Sequence, residues 1–123
     1  MDKLEFVARE LAAIDVPYEF MQWTAPVAYP YFVGEISELA VTTGDGLTES
    51  EFTLTGFYRG KYAALEAAKN RIREHFHPLH GLRGQTDSGV IFVFFSGAFY
   101  VPSGEPDLKK LQINLEIKEW RND

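Results

Sequence analysis

The last stretch of the chain constrains the fold most. From residue 111 to 118, Leu111, Ile113, Leu115 and Ile117 alternate with Gln112, Asn114, Glu116 and Lys118. A period of two with one apolar and one polar set is the signature of a β-strand with one dry and one wet face. Such a strand needs partner strands on its edges and a cover on its dry face, so it commits the rest of the chain to supplying both.

The chain has 123 residues, 46% hydrophobic and 24% charged, which suits one domain around one core. The cover is predicted as two helices. Leu4, Val7, Ala8, Leu11 and Ala12 keep helical spacing. Asp2 stands as N-cap with Glu5 as its capping-box partner, and Pro17 ends the helix. A second helix is expected from Lys61 to Phe76, with Tyr62, Leu65, Ala68, Ile72 and Phe76 as its apolar stripe and Pro78 and Gly81 ending it.

Strands are predicted at Tyr18–Trp23, Tyr31–Thr43, Ser50–Arg59 and Gly89–Phe95. Phe32, Gly34 and Ile36 share one face of the second strand, with Tyr31, Val33 and Glu35 on the other. Thr43-Gly44-Asp45-Gly46 marks the long tip of a hairpin between the second and third strands. Residues 77–88 read as a polar loop without a strand pattern. Val90–Phe95 is apolar without interruption, a pattern expected of a strand buried on both faces, so a neighbouring subunit is a candidate cover for its second face. The expected architecture is α+β, in the order α-β-β-β-α-β-β: a single mainly antiparallel sheet with two helices packed on one face.

The residues offer little for catalysis. There is no cysteine, hence no thiolate nucleophile and no disulfide. His75, His77 and His80 are close in sequence but straddle a helix end and a proline, where histidines serve the helix terminus at least as well as a metal. Glu35 and Glu38 fall on opposite strand faces, and Glu49 and Glu51 share a face beside a loop, where solvated carboxylates are the default. Ser96-Gly97-Ala98 is no nucleophile elbow, and Gly81-Leu82-Arg83-Gly84 lacks the ending of a phosphate loop. No metal, cofactor or catalytic residue is expected. The formal charge of −6 opposes a phosphate backbone, so sequence-specific nucleic-acid binding is not expected. Charges at Glu5, Arg9 and Glu10 interrupt the first segment, which does not read as a signal peptide, and no run is long enough to span a membrane as a helix. The chain is therefore expected to be made in the cytoplasm.

The aromatic residues are the surplus: 10 Phe, 6 Tyr and 2 Trp. One sheet face with two helices has difficulty burying them all, and interfaces are enriched in such rings. Tyr29, Tyr31, Asp45, Leu47, Glu49, Leu82, Arg83, Phe95, Phe99 and Tyr100 are the candidate contacts with copies or partners.

Three stretches also carry a resemblance. They are the initial helix followed by Ala28-Tyr29-Pro30-Tyr31-Phe32-Val33, the join from Glu51–Tyr58 to Ala63–Ala68, and the closing strand Asp107–Trp120. In order and spacing they resemble the tail terminator and minor tail protein family of long-tailed bacteriophages, which belongs to the head–tail joining group. The resemblance implies a non-enzymatic virion tail component. It would form a homo-oligomeric ring, typically a hexamer, that caps the tail tube and meets the head connector protein. An acidic ring of that kind would let DNA pass without adhering. The competing class is a small ligand-binding or enzymatic α+β domain with a pocket between sheet and helices.

Overall fold

The structure, a computed structural model, describes residues 1–39 and 46–121. The elements are α1 (Lys3–Ala13), β1 (Tyr18–Phe20), β2 (Tyr31–Glu38), β3 (Leu47–Arg59), α2 (Ala63–His75), β4 (Leu82–Gln85), β5 (Gly89–Val101) and β6 (Leu108–Arg121). They build one six-stranded sheet in the order β1-β2-β3-β6-β5-β4. The α+β class is as expected. Asp2 accepts from the Glu5 N–H at 2.8 Å, as the capping pattern predicts.

Three details correct the expectation. The polar loop of residues 77–88 contains a strand, β4, so the order gains an element and reads α-β-β-β-α-β-β-β. Its four residues, Leu-Arg-Gly-Gln, have no apolar alternation; edge pairing with Val90–Val93 makes them a strand. The expected strand Tyr18–Trp23 is only three residues long and runs parallel to β2, whereas the other four pairings are antiparallel. A parallel neighbour requires a crossover, supplied here by the loop through the cis Tyr29–Pro30 bond. The predicted hairpin tip around Asp45 lies outside the described residues.

One face of the sheet is dry. Phe32, Phe52, Leu54, Ile91, Val93, Leu111, Ile113, Leu115 and Ile117 are buried there against Phe6, Val7 and Leu11 of α1 and Leu65, Ala68 and Ile72 of α2. Six flat strands span about 24 Å and an eleven-residue helix about 16 Å. Yet α1 lies alongside β1 at one edge while its Phe6 ring covers Gly84 of β4 at the other. The sheet is curled, and α1 sits in the hollow.

Glycines seat three of the core rings. The ring of Phe6 lies over Gly84, Phe32 over Gly56 on the neighbouring strand, and Phe52 over Gly34. A methyl group at Gly56 would fall within the Phe32 ring, whose own position is fixed by burial on all sides. Alanine ordinarily favours a strand over glycine. Here the sign should reverse: Gly56→Ala is expected to destabilise by about 1–3 kcal/mol. Urea denaturation checks this, and Phe32→Leu in the same chain should recover part of the loss.

Candidate interaction surface

Among the described residues, the other face of the sheet carries no helix. Cross-strand register places its side chains in rows. One row is Tyr31, Phe57, Lys110 and Val101; the next is Glu19, Val33, Thr55, Gln112 and Phe99. Then come Glu35, Thr53, Asn114 and Gly97, and after them Ser37, Glu51, Glu116 and Phe94. The last two rows are Glu49, Lys118, Phe92 and Arg83, followed by Leu47, Trp120, Val90 and Gln85.

Rings gather at two corners. At the first, Trp23 and Tyr31 lie 5.0 Å apart, Tyr31 stacks on Phe57 at 5.0 Å, and Tyr29 meets Tyr31 at 5.6 Å. The Lys110 ammonium stands 5.9 Å from the Phe57 ring and the Arg59 guanidinium 5.9 Å from Tyr29. Arg59 also donates to the Tyr29 hydroxyl at 3.2 Å and to both oxygens of Asp107, and it pairs with Glu105 at 2.9 Å. The bond to Glu105, followed by those to Tyr29 and Asp107, raises its pKa and holds it charged. At the second corner Phe92 stacks on Phe94 at 6.3 Å and meets Trp120 edge-on at 5.7 Å, with the Lys118 ammonium 5.8 Å from Phe94.

Between the corners the face is acidic. Glu51 stands directly opposite Glu116, an unfavourable like-charge pair that the 3.8 Å contact of Lys118 with Glu116 offsets in part. Glu35 lies on the same face. Its floor is polar and bonded: the Thr53 hydroxyl meets the Asn114 side-chain oxygen at 3.3 Å.

The expected burial of Val90–Phe95 on both faces is corrected accordingly. Ile91 and Val93 point inward and are fully buried, while Val90, Phe92 and Phe94 lie on the helix-free face and are only half-buried. The ten candidate contact residues divide. Tyr31, Leu47, Glu49, Arg83 and Phe99 are brought onto this face, with Tyr29 at its margin, and Phe99 is 49% exposed. Leu82 and Phe95 turn the other way and pack against the core. Tyr100 also turns toward the helices, where its hydroxyl donates to Glu66 at 2.6 Å. Burial, reinforced by that bond, raises its phenol pKa. Asp45 is outside the described residues. Phe57, Lys110, Lys118 and Trp120 join the surface without having been singled out, and Phe92 and Phe94 join it from the Val90–Phe95 run, whose second face was expected to meet a neighbouring subunit. The available signal was parity: Phe57 and Trp120 are rings on the polar side of alternating strands.

The three histidines do not share one site. The His75 Nε2 lies 3.5 Å from Glu10 of α1. The His77 Nδ1 accepts from the backbone N–H groups of Leu79 and His80, and its ring stacks on His80 at 4.5 Å. Among the described residues no group of three His, Asp or Glu side chains is placed to hold a metal. An open groove of about 670 Å³ beside the end of α2 is lined by Asn70, Arg73, Glu74, His77, Pro78 and Leu79. Its lining comes from α2 and the turn after it, without Arg83, whereas a second open groove of about 760 Å³ lies between α1 and β1. No protein-family model and no curated protein matches the chain.

Proposed function

We propose that the chain is a non-enzymatic structural protein that acts as a ring of its own copies, of the tail-terminator kind, closing a tail tube and meeting the head connector. The observation that carries this reading is the helix-free face with its two half-buried ring clusters. Aromatic side chains flanked by cations and left without a cover match the composition of protein interface cores. The acidic middle of the face and the net charge of −6 suit a ring that DNA must traverse without adhering.

The test is light scattering at high concentration together with negative-stain microscopy, with and without tail tubes. Rings or capped tubes are expected. Phe57→Ser combined with Phe94→Ser should lower the assembled mass or abolish tube capping while thermal stability falls by less than about 10 °C, since both rings are already half in water. A wild-type chain that stays monomeric and leaves tube length unchanged would sink the reading.

A further inference from the structure

The two edges of the sheet are stepped, and the steps are complementary. At one edge β1 covers only Phe32–Gly34 of β2, and no described residue pairs through its backbone with the outer side of Glu35–Glu38. At the other edge β4 covers only Val90–Val93 of β5, and the Phe95 N–H donates to the Phe76 carbonyl at 2.7 Å. Beyond it, no described residue pairs with the outer side of Gly97–Val101. Register shows that these steps fall at opposite ends of the strands. Phe32 and Gly34 are level with Gly56 and Leu54, with Leu111 and Ile113, and finally with Tyr100 and Ala98. The edge on which β1 projects is thus level with the stretch of β5 that is bare.

An open row of N–H and C=O groups is a template for another strand, and proteins normally blunt such edges with charge, proline or a bulge. The bulge between Phe95 and Gly97 sits at the near end of the bare stretch, and from Gly97 to Val101 the strand is regular against Asn114–Lys110. No charged residue and no proline occurs from Gly89 to Val101. Phe99 and Tyr100 are 49% and 37% exposed.

We infer that copies of the chain join edge to edge, head to tail, with β1 of one copy adding to Gly97–Val101 in β5 of the next. This rests on the self-assembling reading above and gives it a joint. Direction agrees: three successive antiparallel pairings separate β2 from β5, so β1, parallel to β2, runs antiparallel to β5. Charge agrees as well. The one charge of β1, Glu19, is already taken by the Thr24 hydroxyl and the backbone N–H groups of Thr24 and Ala25, which lower its pKa, the hydroxyl foremost. On the complementary step, the one charge of β4 is Arg83 and the bare end of β2 carries Glu35, its other carboxylate, Glu38, being paired with Lys3 at 2.8 Å. A contact between two different edges is heterologous and closes into a ring when its rotation permits.

The absence of cysteine makes cross-linking a clean test. Phe20→Cys is combined in turn with Ser96→Cys, Ala98→Cys and Tyr100→Cys, which scans three registers, and each chain is oxidised at assembly concentration. Within one chain β1 and β5 are four strand spacings apart, about 19 Å along the sheet, beyond disulfide reach. At least one pair is expected to give a ladder of three or more linked chains on non-reducing gels, while each single variant stops at two. If light scattering shows the oligomer but no pair gives more than its singles, the edge joint is wrong and the ring reading stands. Dimers from Ala98→Cys alone, with no longer ladder from any pair, would mean a two-fold joint between β5 strands and overturn the head-to-tail arrangement. A monomer by light scattering overturns both.

Discussion

Phe52→Ala is expected to destabilise the fold by about 3–5 kcal/mol, the range for removing a fully buried aromatic ring. The ring is wholly inaccessible on β3, lies over Gly34 of β2, and meets Tyr18 of β1 at 5.9 Å and Phe20 at 6.5 Å. It therefore holds three strands to one another, and β1 has only three residues of its own with which to stay paired. Collapse around the vacancy is restricted because Gly34 has no side chain to move into it. Total stability of a domain this size is about 5–15 kcal/mol, so the loss is a large share and a melting temperature lower by roughly 10–20 °C should be measured. A change below 1 kcal/mol in urea denaturation would mean that β1 is held by something other than this ring. Burial also raises the Tyr18 phenol beside it to about pKa 12, as expected for a hydroxyl in a largely apolar setting.

Ile113→Ala should cost about 2–5 kcal/mol. Ile113 is fully buried at the centre of β6, opposite Leu54 of β3 on one side and Ala98 of β5 on the other. Its neighbours Gln112 and Asn114 point to the helix-free face, so Asn114→Ala should cost far less despite being adjacent. The contrast between the two, read by calorimetry, tests the two-faced character of the strand directly.

That strand was legible in the sequence because its apolar and polar sets never exchange over eight residues. The helices were legible for the same reason at a different period, and Asp2 announced where the first one starts. β4 was not, because a strand made of Leu-Arg-Gly-Gln owes its state to neighbours. Val90–Val93 supply its hydrogen bonds, and Phe6, far off in the chain, occupies the space over Gly84. The parallel entry of β1 was hidden likewise: three residues hold no period, and their direction is set by the loop that follows. Among the candidate contacts, Leu82, Phe95 and Tyr100 fall on the helix side for separate reasons. Leu82 belongs to the unread strand, Phe95 keeps the inward parity of Ile91 and Val93, and the bulge after Phe95 resets the alternation of β5 and turns Tyr100 inward. The helix-free face was half visible, since parity put Phe57 and Trp120 among polar neighbours. Only register, which ties together strands more than fifty residues apart, shows that the rings form two clusters with acid between them.

The place of β6 in the sheet has a consequence for biosynthesis. β6 is made after the other strands of this sheet and lies between β3 and β5, and its partner on one side, β3, left the ribosome some sixty residues earlier. Until it emerges, the hairpin of β2 and β3 and the strands β4 and β5 are separate pieces with no seam between them. Each then exposes an unpaired edge and the rings meant for the core. Nascent chains should therefore depend on chaperone protection until β6 has emerged, and a chain interrupted just before Leu111 should yield no folded product.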